Sequence, residues 1–190
     1  MKKCLLLLAL FVCGNMMAQT NNDSIIFKVN DNGYFKTLSG TNYYVIPVEG
    51  EKAHDIYCDV LCRVARIFKS PENVTEKIVE DRAVIINAQV DELVEAHYSG
   101  DYGSGREWFD FFYRFEFNFK DGKIRVKAPD IIGGRIRLGA RTLQHATFYP
   151  DNFVLTHLIK DDATKVPIVE KYLNDIMTYI VYGNPEDENW

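Results

Sequence analysis

Aromatic and polar residues alternate along residues 107–120, and this pattern predicts a long β-strand. Successive side chains of a strand point to opposite faces of a sheet, so residues two apart share a face. The aromatic set is Phe109, Phe111, Tyr113, Phe115, Phe117 and Phe119, and the interleaved polar set includes Asp110, Arg114, Glu116 and Asn118. We expect the aromatic face to be core and the other face to be polar.

The dipeptide Asp121-Gly122 follows this strand directly and predicts a tight hairpin. Two-residue type I′ turns favour Asp-Gly because both central residues take positive φ, and such a turn places Lys120 opposite Lys123. The register brings polar residues of both strands onto one face. Five of them form our candidate ligand-binding surface: Arg114, Glu116, Asn118, Arg125 and Lys127.

Periodicity elsewhere predicts further strands and two amphipathic helices. Strands are expected at 43–48, 74–80 and 83–91, and Pro47 favours an edge position or a strand end for the first of these. The helices cover about 51–69 and 167–182. Residues 95–106 are rich in glycine and predict a connecting loop, Gly133-Gly134 predicts a break, and residues 131–165 have no clear pattern.

The order strand, helix, four strands, helix predicts an α+β fold. Both helices are expected to cover one face of an antiparallel sheet, which makes a two-layer sandwich. At 190 residues and 47% hydrophobic content, the chain can bury a core without disulfides. We divide it into a signal peptide (1–18), a flexible leader and loop (19–42), a single α+β domain (43–182) and a C-terminal tail (183–190).

The N-terminus has the organisation of a secretory signal. Two lysines precede an apolar run over residues 4–13, and Ala18 ends a plausible cleavage site. The alternative is a lipoprotein signal with Cys13 as the lipid-bearing residue, but Val12 stands where a small residue is expected. We therefore expect cleavage after Ala18. No other apolar run approaches the ~20 residues of a membrane span, so we expect the mature protein to be periplasmic or secreted.

The charge of the chain disfavours nucleic-acid binding. Removal of residues 1–18 takes away two of the 22 basic side chains and leaves 27 acidic ones, so the expected mature chain carries a net charge of −7. Polyanion binding depends on clustered Lys and Arg residues that displace counterions. An exported acidic protein lacks the positive electrostatic potential that attracts nucleic acids, and it is not in the compartment that contains them.

Three segments carry a resemblance to a known group. The strand YYVIPVEG, the helix EKAHDIYCDVLCRVARIFKS and the hairpin FEFNFKDGKIRVKAPDI are similar to exported Bacteroides-type proteins with a domain of unknown function and a TATA-binding-protein-like fold. The resemblance covers roughly residues 40–130. It implies export and an α+β fold but no catalytic residues, and the DNA binding of the namesake is not implied because function belongs to sites.

A histidine and two cysteines on the first predicted helix offer weak metal-binding chemistry. His54, Cys58 and Cys62 are spaced by four residues and share one side of the helix. Imidazole and thiolate are ligands for zinc or copper. Residues 54 and 62 lie about 12 Å apart along the axis, so one ion would bind only an adjacent pair. We expect no metal and no cofactor.

Other candidate groups are weaker still. His97, Asp101 and Ser104 lie in the glycine-rich segment, but no GxSxG motif accompanies them, and a strand connection is favoured. We interpret His145 and His157 as surface or hydrogen-bonded histidines. The pair Asp161-Asp162 would need further oxygen ligands to bind calcium. We therefore assign no catalytic residue.

Two functional hypotheses follow from these patterns. The first is a noncatalytic binding or assembly module of the cell envelope, whose polar sheet face receives an envelope protein, a peptide or a glycan. An ordinary solvated face with a Glu116–Lys127 pair is the simpler interpretation of the same residues. The second is a small hydrolase or metal-dependent enzyme that uses the His97 segment or the Cys58 helix.

Overall fold

A computed structural model describes residues 24–100, 103–138 and 146–183. The strands are β1 (Phe27–Val29), β2 (Phe35–Thr37), β3 (Tyr43–Pro47), β4 (Thr75–Val79), β5 (Ala83–Gly100), β6 (Gly103–Lys120), β7 (Lys123–Lys127), β8 (Asp130–Leu138) and β9 (Ala146–Pro150). The helices are α1 (Ala53–Ile67), the single turn α2 (Pro71–Val74), α3 (Phe153–Asp162) and α4 (Val166–Tyr182), with a 3₁₀ turn at Ala163–Lys165. The predicted signal peptide, Cys13, Asp101, His145 and residues 184–190 lie outside the described residues.

The long hairpin of β5 and β6 is the centre of the main sheet. The C-terminal part of β6 pairs with β7, which pairs with β3, while β4 pairs with the start of β5. The N-terminal part of β6 pairs with β8, which pairs with β9. All these pairings are antiparallel. The strand β3 lies at the edge of the sheet, as Pro47 predicted.

The aromatic face of β6 forms the core. The six aromatic side chains predicted to share this face are between 0% and 4% exposed. Three helices cover it with apolar side chains, which include Val60 and Val64 of α1, Leu155 and Leu158 of α3, and Leu173 and Met177 of α4. The predicted α+β class with an antiparallel sheet is confirmed, although a third long helix, α3, joins the two that were expected.

The glycine-rich segment 95–106 does not form the predicted loop. The strand β5 continues to Gly100 and β6 begins at Gly103, with paired residues from Glu95 opposite Trp108 to Gly100 opposite Gly103. A register shift between Val90 and Val94 marks a bulge. The strand β8 pairs with the adjacent residues 107–114 of β6, so the paired glycine-rich segment continues directly from the part of the sheet that is paired on both sides.

The segment without a clear pattern contains two strands and a helix. The strand β8 runs through both glycines, where a break was predicted. A Cβ atom added at Gly134 would lie 2.3 Å from the Asp110 carbonyl oxygen and 2.8 Å from a Val154 methyl carbon of α3. The absence of a side chain at this position therefore lets α3 pack directly on the sheet. The observed order of elements is longer than predicted because it also includes β8, β9 and α3.

Residues 24–42 also differ from the predicted flexible leader and loop. The strands β1 and β2 pair with each other, and Phe27 and Phe35 are buried in the core. The helix α4 binds the backbone of this hairpin with polar side chains one turn apart. The amide groups of Ile25, Phe27 and Val29 donate hydrogen bonds to Thr178, Asn174 and Glu170 at 2.8–3.0 Å. The hairpin is thus held by residues about 140 positions away in sequence.

The β6–β7 turn has the predicted register but a different conformation. Lys120 lies opposite Lys123. Gly122 has a φ of +72°, whereas Asp121 does not take a positive φ, so the turn is not type I′. The carboxylate of Asp121 accepts a hydrogen bond from the Ala53 amide at 2.9 Å. The turn therefore adopts the conformation that caps α1, whose own N-cap residue makes no side-chain hydrogen bond.

Replacement of Asp121 by alanine is expected to lower the free energy of unfolding by about 1 kcal/mol, because an amide group at the start of α1 loses its acceptor. Urea unfolding followed by circular dichroism measures this loss. Asp121→Asn is the matched control, since asparagine keeps an oxygen acceptor and should retain most of the stability. Equal losses in the two variants would contradict the capping role.

Within the described residues, none of the helices combines the length and the apolarity that a membrane crossing requires.

Candidate functional site

The sheet face opposite the long helices carries all five residues of the predicted ligand-binding surface. The strand β6 contributes Arg114, Glu116 and Asn118, and β7 contributes Arg125 and Lys127. Asn118 pairs in register with Arg125, which pairs in turn with Val45 of β3. The register predicted for the hairpin therefore places these side chains on neighbouring strands.

Four of the five residues are engaged in local pairs. Glu116 accepts hydrogen bonds from Lys127 at 2.6 Å and from Asn118 at 3.0 Å. Partial burial opposes ionisation of Glu116, but these two hydrogen bonds and the positive charges of Lys127 and Arg125 together hold the pKa of the carboxyl below its usual value. Arg114 donates to Asn87 at 3.0 Å and pairs with Glu76 at 3.1 Å. The Glu116–Lys127 pair is the ordinary cross-strand contact that the simpler interpretation expected.

Two recesses divide the predicted surface. The smaller, of about 240 Å³, borders β2 and is lined by residues that include Arg114, Glu116 and Lys127. The larger, of about 720 Å³, lies near the β6–β7 turn and includes Asn118 and Arg125. The five residues are therefore on one face but do not line one pocket.

We call the larger recess the cationic groove. Its lining includes four exposed basic residues and three neighbours on the same face: Arg82, Lys120, Lys123 and Arg125, with Tyr43, Val45 and Asn118. Within the described part of the chain, no acidic side chain forms an ion pair with any of the four basic residues. Tyr43 and Val45 are also exposed, at 44% and 47%. The groove thus combines unpaired positive charge with apolar surface.

His54 and Cys58 contact each other on the exposed side of α1. The Cys58 sulfur lies 3.6 Å from Nε2 of His54, whose Nδ1 lies 2.7 Å from the Asp81 carboxylate. The hydrogen bond with Asp81 raises the pKa of His54. Burial, followed by the charge of Asp81, raises the pKa of the Cys58 thiol, so this arrangement does not activate a thiolate. Cys62 is a free, exposed cysteine.

The two described residues of the candidate hydrolase set, His97 and Ser104, lie on two paired strands. His97 is exposed on β5 and its register partner is Arg106. Ser104 belongs to β6 and is the register partner of Ser99. Regular strand pairing therefore replaces the glycine-rich loop that was predicted for these residues.

A third group of chemically active side chains lies on the helical side of the sheet. Glu107 of β6 meets His157 and Asp161, which are one turn apart on α3. Nε2 of His157 lies 2.9 Å from Asp161 Oδ2 and 3.5 Å from Glu107 Oε2. Burial raises the pKa of Glu107, and the nearby His157 opposes this rise. We call these three residues the Glu–His–Asp cluster.

Two solved structures are similar to this chain in overall shape. A TBP-like protein from Parabacteroides distasonis has a TM-score of 0.44 and 10% identity, and the match covers 75% of this chain and 92% of that one. A DUF4468 family protein from Bacteroides ovatus has a TM-score of 0.44 and 12% identity, with 87% and 93% covered. No family model and no curated protein matches the chain.

Sequence reasoning missed part of the cationic groove and the whole Glu–His–Asp cluster. The pairing of β3 with β7 places Tyr43 and Val45 beside Arg125, and no local pattern specifies this pairing. The i, i+4 spacing of His157 and Asp161 was a usable signal. It was overlooked because α3 was not predicted, and Glu107 joins the pair only through packing of α3 on β6.

Proposed function

We propose that the protein is an exported, noncatalytic binding module whose cationic groove binds an acidic peptide segment of a cell-envelope partner. The observation that supports this proposal is the set of four exposed cations without acidic partners in the described chain. The sequence as a whole has a net charge of −5, so this local excess of positive charge runs against the average. The export part rests on the signal pattern of residues 1–18.

The chemistry of the groove fits carboxylate side chains. Arginine can bind a carboxylate through two parallel hydrogen bonds, and Arg82 and Arg125 are both exposed in the groove. Lys120 and Lys123 add point charges at the turn. Such contacts increase both the rate and the selectivity with which an acidic partner is bound.

A peptide fits the groove better than a glycan. Val45 and Tyr43 expose apolar surface that can contact hydrocarbon side chains of a peptide. They belong to β3, an edge strand, and an edge strand can add an extended peptide by backbone hydrogen bonds. A segment bound along β3 would carry alternate side chains over the cationic groove.

The proposal predicts that Arg82→Glu combined with Arg125→Glu lowers the affinity for a fluorescent hexaglutamate peptide at least about tenfold, because attraction becomes repulsion at two positions. Fluorescence anisotropy at low and physiological salt measures the affinity, and the wild-type affinity should fall as salt rises.

The matched control is Lys69→Glu combined with Lys160→Glu, which makes the same change in net charge at two exposed positions outside the groove. This control should bind the peptide within about twofold of the wild type, since exposed charges beyond a Debye length are largely screened. Equal losses in the two double variants would contradict a localised site. Tighter binding of polygalacturonate than of hexaglutamate would favour an acidic glycan and overturn the peptide proposal.

A further inference from the structure

The Glu–His–Asp cluster provides three ligand atoms of a kind that transition metals bind. The ligand atoms of Glu107, His157 and Asp161 all lie within 4.8 Å of one another. A metal ion with bonds of 2.0–2.2 Å in tetrahedral geometry separates its ligand atoms by about 3.4 Å. The distances of 2.9 Å and 3.5 Å from His157 Nε2 to the two carboxylates are close to this separation. Small side-chain adjustments would therefore accommodate an ion.

Glu107 supplies a second and independent observation. Its side chain is almost completely buried, with 5% of the residue exposed, and Oε2 makes no hydrogen bond, although His157 Nε2 lies 3.5 Å away. A buried carboxylate oxygen without a partner is unfavourable, and such oxygens are normally satisfied by hydrogen bonds or by a cation. The same oxygen faces His157 Nε2, so the unsatisfied atom points into the cluster.

The surroundings hold the imidazole in place and leave a route from solvent. The ring of His157 stacks on Phe153 with an interplanar angle of 15° and lies 6.1 Å from the ring of Phe109. The side chains of His157 and Asp161 are 30% and 28% exposed. The cluster is therefore packed against aromatic rings on one side and accessible to solvent on the other, which suits a site that exchanges a metal ion.

We propose that Glu107, His157 and Asp161 bind one divalent transition-metal ion of the zinc class. One imidazole nitrogen and two carboxylate oxygens suit such ions better than calcium or magnesium, which prefer oxygen ligands alone. Three protein ligands leave a fourth position for water or for an external ligand. The site lies on the opposite face of the sheet from the cationic groove, so it is independent of the proposed peptide binding.

Zinc titration of the metal-free protein tests this site. Wild-type protein should bind one equivalent of Zn²⁺ by isothermal titration calorimetry, and its Tm should rise by about 5 °C or more at saturating zinc. Glu107→Gln and His157→Asn should each lower the zinc affinity at least about 100-fold. Their Tm values in EDTA show whether they remain folded, and Glu107→Gln is expected to fold because it removes only a buried charge.

His54→Asn and Cys58→Ala are the matched controls, because His54 also contacts a carboxylate, that of Asp81, and Cys58 lies against His54. Both should bind zinc like the wild type. Cobalt gives a further readout, since a site of nitrogen and oxygen ligands shows no sulfur-to-metal charge-transfer band. Absence of stoichiometric binding, undiminished binding by folded Glu107→Gln and His157→Asn, or a sulfur charge-transfer band would overturn the proposal.

Discussion

Replacement of Asp110 by asparagine is expected to lower the free energy of unfolding by about 3 kcal/mol, because the buried Arg137 guanidinium loses its fully buried partner and keeps only the more exposed Glu92 and Asp91. Asp110 is 0% exposed although it belongs to the polar set of β6. Its carboxylate pairs with Arg137, which donates from Nε at 3.1 Å and from Nη2, and with Arg135 at 2.9 Å. Arg137 is itself only 5% exposed.

Replacement by asparagine removes the charge of Asp110 but retains an oxygen that can accept its hydrogen bond from the backbone. Asp110 Oδ1 also accepts the amide of Glu92, a residue of the β5 bulge with a φ of +52°. Asparagine keeps an oxygen for this amide but carries no charge for the two arginines. The loss in Asp110→Asn therefore reports the ion pairs, and a further loss in Asp110→Ala reports the support of the bulge.

Asp91→Asn is the matched control, since Asp91 belongs to the same group of charges but has a side chain that is 51% exposed. It pairs with Arg135 at 2.7 Å, and an exposed pair of this kind contributes at most about 1 kcal/mol. Guanidinium chloride unfolding with a common m-value measures all three variants. Similar losses for Asp91→Asn and Asp110→Asn would contradict the dominant role of the buried carboxylate.

Replacement of Phe115 by alanine is the second change with a large expected effect, a loss of about 3–5 kcal/mol. Phe115 is 0% exposed at the centre of the aromatic face, with its ring centroid 5.0 Å from that of Tyr113 and 6.4 Å from that of Phe117. The truncation removes buried apolar surface and leaves a cavity between the sheet and its helices. The surrounding rings can collapse only partly into that space.

Phe112→Ala is the matched control, because it makes the same truncation in the same strand on the other face. Phe112 is half-buried. Its ring centroid lies 5.8 Å from that of Phe148 and 5.3 Å from the guanidinium carbon of Arg135. Its expected loss is about 1–2 kcal/mol. Chemical unfolding of both variants measures the difference. A loss for Phe112→Ala equal to that for Phe115→Ala would mean that the two faces of β6 are not distinguished as described.

The local patterns of the sequence predicted the parts of the fold that depend on neighbours in the chain. Period-two alternation identified the buried face of β6, and Asp121-Gly122 gave the register of the β6–β7 hairpin. The 3.6-residue spacing of apolar side chains located α1 and α4 to within about two residues at most ends. The same register placed the five candidate surface residues on one face.

Contacts between distant segments account for what was missed. The strand β8 pairs with β6 and runs through Gly133-Gly134, where a break was predicted, and polar side chains of α4 fix the β1–β2 hairpin. Burial of Asp110 likewise depends on the arginines of β8, since on the pattern of β6 alone it belongs with the polar residues. Periodicity reports one strand at a time and contains no information about which strand lies beside it.

The sequence by itself determined the α+β fold class, the buried aromatic face of β6 and the register of the β6–β7 hairpin. These properties follow from alternation, turn chemistry and helical spacing. Only the tertiary structure decided which charged and metal-binding side chains lie close together. The cationic groove requires the pairing of β3 with β7, and the Glu–His–Asp cluster requires the packing of α3 on β6. Both sites join residues that are far apart in the chain, and only long-range packing sets such distances.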